Sequence, residues 1–190
     1  MASQVEICNL ALAKLGHMPF IANINENSKA ANLFSVFWDP VRDSLLREYL
    51  WKFARKREVL APLVTEPEFD GGNYFQLPSD CLRVIGPGDT YKMSYGRWFV
   101  EQDKIVADTD TFNLVYIRKV TDTALFDPCF VQAMAAKLAY EIAMPLAQSQ
   151  SLKDQMMQEY KTAVIKAAFV GATEQDSDKF LAETFIQVHY

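Results

Sequence analysis

Histidine is nearly absent from this chain of 190 residues, with His17 and His189 its two copies. Neither stands in a spacing that would serve a metal or a catalytic triad, so surface or loop positions are expected for both. Cysteine is scarce as well. Cys8, Cys81 and Cys129 are odd in number, far apart and set among apolar residues. That suits small core residues in a reducing cell rather than a disulfide framework, and the lack of a CxxC pair argues against zinc. A basic surplus is missing too: 19 Lys and Arg face 24 Asp and Glu, for a net charge of -5, whereas a surface that grips DNA needs excess cations. No apolar run approaches the ~18 residues of a membrane span, and no basic stretch followed by an apolar one opens the chain. The expectation is synthesis in the cytoplasm and no membrane partner. The seven glycines form neither GxGxxG nor a phosphate loop. Gly71, Gly72, Gly86 and Gly88 are therefore expected in turns, and no cofactor is expected.

What is present is an ordinary globular composition, with 50% hydrophobic and 23% charged residues, at a length that suits one domain. Ser3 followed by Glu6 forms a capping box, Val5, Cys8, Leu12 and Leu15 recur at helical spacing, and Gly16 suits the position after the helix end. The spacing predicts a helix over 3–15. A second is predicted over 28–54, capped by Ser28 and broken or kinked where Asp39-Pro40 reads as a new start. Its expected buried stripe is Val41, Leu45, Tyr49 and Phe53, with Arg42, Asp43, Arg47 and Lys52 off it.

Between about 58 and 120 the texture changes to short β-prone runs at 81–85, 91–95, 98–100, 104–107 and 112–119, punctuated by glycine. An antiparallel meander is expected. Helical texture returns at Asp127-Pro128, a cap and first-turn pair, giving helices over 128–148 and, opened by Ser151 with Asp154 and closed by Gly171, over 151–170. The fold class is thus α+β: mainly a helical bundle, with a small antiparallel β module inserted between the N-terminal and C-terminal helices. Residues 1–171 form one domain and 172–190 a tail.

Residues that could carry chemistry have bland readings beside the sharp ones. Cys81 directly follows Asp80, and its pairing with His17 as nucleophile and base stays open. Asp108 with Asp110, and Glu66 with Glu68, are paired acids in loop-like segments, where solvated carboxylates are ordinary. Trp51, Phe53, Arg55, Lys56 and Arg57 interleave aromatic and basic residues as a single-strand binder would. The competing reading puts those cations at a helix C-terminus, offsetting its dipole, with Trp51 and Phe53 pointing inward.

Four segments in register resemble one family. They are the run 7–16, Ile-Cys-Asn-Leu-Ala-Leu-Ala-Lys-Leu-Gly; Trp51-Lys52-Phe53-Ala54 with Arg57 and Leu60; Tyr74-Phe75-Gln76-Leu77-Pro78 with Asp80-Cys81-Leu82-Arg83-Val84; and Phe126-Asp127-Pro128 with Phe130-Val131 and an Ala-rich helix. Together they look like the tail tubular protein A family of short-tailed phages. The resemblance spans roughly 5–171. It implies a non-enzymatic head-to-tail adaptor, present as a ring of copies, by family resemblance a dodecamer, between the portal protein and the tail nozzle protein. DNA would pass through it without specific binding, and the protein would reside in the virion neck. The family has no catalytic residues to carry over.

Two surfaces are expected to serve that role. Phe130, Met134, Leu138 and Ile142 line a nearly uncharged helix suited to contacts between ring subunits. Phe180, Leu181, Phe185, Ile186, Val188 and Tyr190 give the tail an apolar end in need of a partner, read as the portal or a neighbouring subunit. The alternatives are a head-completion protein that plugs the portal to retain packaged DNA, and a small cytoplasmic hydrolase.

Overall fold

The computed structural model describes residues 2–69, 71–88 and 96–173, with the backbone alone at 171–173. It is α+β, with helices α1 (Gln4–Lys14), α2 (Lys29–Glu48), α3 (Pro128–Ile142) and α4 (Gln150–Thr173). The strands are β1 (Arg55–Leu60), β2 (Asn73–Gln76), β3 (Cys81–Pro87), β4 (Trp98–Glu101), β5 (Lys104–Ala107) and β6 (Phe112–Arg118). The expected strand at 91–95 lies outside the described residues.

Local signals set the helix starts. Ser3 and Glu6 exchange the two bonds of a capping box: the Ser3 N–H donates to Glu6 Oε2 at 2.6 Å and the Glu6 N–H to Ser3 Oγ at 3.2 Å. At the other end of α1, Gly16 takes φ +64, and the His17 N–H donates to the Leu12 carbonyl at 3.0 Å, closing the helix as a left-handed residue after the cap allows. Asp127 accepts from the Cys129 N–H at 2.7 Å, with Pro128 as the first residue of α3.

α2 departs from expectation twice. It runs unbroken through Pro40. Proline removes one N–H, whose acceptor would be the Val36 carbonyl. Val36, Asp39 and Pro40 all lie on the solvent side, where water can satisfy that group. The helix also stops at Glu48 instead of reaching 54, because Tyr49 turns extended (φ -127, ψ 155). The freed carbonyls find side chains: Trp51 Nε1 donates to Leu45 O at 2.8 Å, and Arg83 donates to Arg47 O at 3.2 Å and Glu48 O at 3.5 Å. Tyr49 and Phe53 therefore lie beyond the helix, while Arg42, expected off the buried stripe, is 3% exposed. It is held by Asp39 at 2.7 Å and Asp43 at 2.8 Å.

Further along, α3 ends at Ile142 and a π-helical turn covers Ala143–Ala147, which together fill the span expected to be one helix. The cap of α4 is Ser149, not Ser151: the Leu152 N–H donates to Ser149 Oγ at 3.3 Å, while Asp154 accepts from the Gln150 side chain. Gly171 lies inside α4 rather than ending it.

Among the described residues the strands do not form one meander. One sheet has the order β1-β6-β3 and the other β2-β5-β4, both antiparallel. β1 begins at Arg55, earlier than the expected start near 58, because its pairing with β6 extends back to Ile117. β2 was missing from the expected runs; at four residues it shows too little alternation to read without its partner β5.

Two apolar clusters result. The larger joins α1, α2, α3 and α4 and includes Ile117 of β6. The smaller fills the space between the sheets, with Leu60, Phe75, Ile105, Ala107, Phe112, Leu114 and Tyr116. Alternation along β6 sends Tyr116 to one cluster and Ile117 to the other. α3 packs against α1, α2 and α4. This corrects the reading of α3 as a contact between subunits: Phe130, Met134, Leu138 and Ile142 are all fully buried within the chain. The helix carries little charge, Lys137 and Glu141 alone, because it is central, and its apolar stripe is already covered.

Candidate functional site

Polar side chains gather at two places that sequence alone did not single out. At the first, β6 sets Tyr116 between β1 and the turn before β3. Its hydroxyl meets Asp80 Oδ1 at 2.9 Å and Glu58 Oε2 at 3.1 Å. Lys56 stands 3.2 Å from Glu58, 3.5 Å from Asp80 and 5.6 Å above the Tyr116 ring. Burial and the two acids push the Tyr116 phenol up to about 12. The phenol therefore stays protonated and donates; the group ties strands together and is poorly suited to act as a base. At the second, the Tyr160 hydroxyl of α4 lies 2.5 Å from Glu48 Oε2, and Lys137 reaches Glu48 at 2.8 Å and Ser44 at 3.0 Å. Burial first, and Glu48 second, raise the Tyr160 phenol. Cross-strand and cross-helix partners of this kind leave no signal until the register is known.

The residues weighed for chemistry are not assembled into a site. Cys81 is half-buried at the start of β3, and burial together with Asp80 raises its thiol, away from the thiolate a nucleophile needs. Its charged neighbours are Asp80 and Arg47, whereas His17 lies just after α1, its N–H bonded to Leu12 O. His189 lies outside the described residues. Cys8 is fully buried, with its thiol pushed up to about 12 by burial. Asp108 and Asp110 are exposed, as are Glu66 and Glu68. Gly72, expected in a turn, has φ +85, and a Cβ there would meet Asp108 Oδ1 at 2.7 Å and Ala107 O at 2.9 Å. Among the described residues, no group of three or more His, Cys, Asp or Glu could hold a metal ion, and no helix is long and apolar enough to cross a membrane.

The aromatic and basic residues at 51–57 separate. Trp51 is buried, and Phe53 stacks near Phe126 and Phe130 with ring centres 5.9 and 5.1 Å away. The aromatics do point inward, as one reading held. The cations do not sit at the end of an α-helix: Arg55 follows a single 3-10 turn, Lys52–Ala54, and Arg55, Lys56 and Arg57 ride on β1, an edge strand among the described residues. Arg55, Arg57 and Val59 share one face of β1 by alternation, while Lys56 and Glu58 face Tyr116. Beside them, Arg57, Val59, Gly88, Asn113 and Val115 line an open groove of about 300 Å³.

A second groove of about 330 Å³ runs between α1, α3 and α4, lined by Lys14, Cys129, Gln132, Glu159, Ala163 and Lys166 among others, with Lys14 and Glu159 paired across it. The six apolar tail residues, Phe180, Leu181, Phe185, Ile186, Val188 and Tyr190, lie outside the described residues. No protein-family model matches the chain, and no curated protein matches it.

Proposed function

We propose that the chain is a structural virion subunit, a head-to-tail adaptor of the tail tubular protein A type. Copies assemble as a ring between the portal protein and the tail nozzle protein and form part of the conduit for ejected DNA. In this reading the four helices act as a bundle that carries the two sheets as an insert between α2 and α3, and residues 172–190 dock on the portal.

One observation supports the reading: three of the four segments that carry the family resemblance meet in the larger apolar core, and the third segment touches its margin through Leu82 while its Phe75, Leu77, Cys81 and Val84 belong to the other cluster. Trp51 packs edge-on against Phe130 with ring centres 4.9 Å apart, and Phe126 lies 4.7 Å from Phe130, so the second and fourth segments share an aromatic cluster. The first segment supplies Ile7, Cys8, Ala11 and Leu12 to the same core, and Leu82 of the third packs on its margin. Matches that fall on core positions are what a way of folding shared with that family would give.

The test is to mix the purified chain with portal particles and examine the product by electron microscopy and sedimentation. Rings seated on the portal are expected. Removing residues 174–190 should leave the thermal midpoint unchanged while abolishing capture by the portal. A full chain that stays indifferent to the portal would overturn the proposal.

A further inference from the structure

We infer that β1 is a docking edge for a second copy of this chain, which lays its 64–68 segment antiparallel along it. The edge presents Arg55 and Arg57 on one face, both exposed, with Val59 70% exposed beyond them. β1 pairs only with β6, so among the described residues no strand covers the backbone groups on its outer side.

The complementary element is on the same chain, three residues beyond the end of β1. After Leu63, whose N–H donates to Tyr74 O at 2.7 Å, the chain leaves β2 and carries Val64, Glu66, Glu68 and Phe69. Both acids are exposed, Val64 is fully exposed and Phe69 is 79% exposed. An acidic and apolar segment that buries so little has chemistry that fits the basic, apolar edge of β1.

Spacing matches as well as charge. In an extended antiparallel pairing, setting Val64 opposite Val59 places Glu66 opposite Arg57 and Glu68 opposite Arg55. Cross-strand pairs of opposite charge and of β-branched residues are the favourable kinds. Pro67 would fall opposite Lys56, where its missing N–H requires a position making no ladder bond, leaving the bonds to Glu66 and Glu68. Two β1 edges, in contrast, would set arginine against arginine, so the charges discourage like-with-like pairing. Edge and segment are different patches on one subunit, so the contact is heterologous and propagates from copy to copy. Among the described residues, the chain's own segment does not fill its own edge: Leu63 is held on β2 and Val64 is fully exposed.

This inference deepens the adaptor reading by naming a contact between subunits, yet its test does not involve the portal. Sedimentation of the full chain at low salt should show concentration-dependent association, weakening as salt is raised. Arg57→Glu and Glu66→Arg should each weaken it by roughly tenfold or more, since like charges then face each other. Placing both changes in one chain, or mixing the two single variants, should restore it, because each contact again joins opposite signs. Circular dichroism confirms that each variant is folded. A wild-type chain that remains monomeric at its highest soluble concentration would overturn the inference, as would single reversals without effect or a double reversal that fails to recover. Association through this contact without portal capture would instead sink the adaptor reading alone; portal capture by a chain indifferent to these reversals would sink the contact alone.

Discussion

On the alkaline side, this protein's pH behaviour involves buried acids held in their neutral form. Burial moves Cys8 from the ordinary 9.0 to about 12, and burial with Glu48 raises Tyr160. Each group has a folded value above its unfolded one, so its contribution to stability is complete below the unfolded value and disappears as pH climbs towards the folded one. For Cys8 that window opens near pH 9. Stability should therefore hold near neutrality and fall steadily above pH 9, with each such group contributing up to about 1.4 kcal/mol per pH unit. Urea midpoints measured from pH 7 to alkaline values would show this. Cys8→Ala should flatten the first part of the decline; an unchanged slope would mean that the thiol does not control it. That Cys8 is a core residue was legible from its apolar setting. The burial of Arg42 was not, because a guanidinium reads as surface until Asp39 and Asp43 are seen to surround it.

At the level of elements, what is local in sequence was readable and what is paired across the chain was not. The capping box of α1, the left-handed Gly16 and the Asp127-Pro128 start of α3 each depend on residues within a turn of one another, so their spacing carried the geometry. The end of α2 depends on Trp51 and on Arg83, which is 36 residues from its acceptor Arg47. Without those partners the apolar pattern runs on past Glu48, and the predicted helix was too long. The same distinction explains the sheets: individual strands such as β5 were visible, but the separation into two sheets is a matter of partners. Trp51 is the element-level test. Trp51→Phe keeps a ring in the aromatic cluster but removes the donor to Leu45 O, stranding a buried carbonyl at a cost of about 1–3 kcal/mol. Trp51→Ala empties the site and should cost about 3–5 kcal/mol. Chemical unfolding followed by helical dichroism distinguishes them, and a neutral Trp51→Phe would show that packing alone, without the hydrogen bond, ends α2.

The described residues of the molecule form two apolar cores, and whether they fold as one unit depends on the strand they share. Neighbouring residues of β6 point oppositely, Tyr116 into the space between the sheets and Ile117 into the helices, so β6 cannot lose its place in one core without exposing apolar surface in the other. Other links run the same way: Lys119 pairs with Asp43 of α2 at 2.9 Å, and Arg83 of β3 bonds the end of α2. A sheet layer that merely decorated the helices would melt first and leave them standing. The shared strand and the polar ties predict a single transition instead. The tryptophans allow a direct check, since Trp38 and Trp51 belong to the helical core and Trp98 packs on the other. Variants retaining only Trp98, or only the helical pair, should unfold at the same urea concentration, and both should coincide with the loss of helical dichroism. Phe75→Ala, deep between the sheets, should then lower all three midpoints together, by a loss of about 3–5 kcal/mol. An early Trp98 transition with the helical signal intact would mean that the sheets unfold by themselves, and that β6 is an attachment rather than a shared wall.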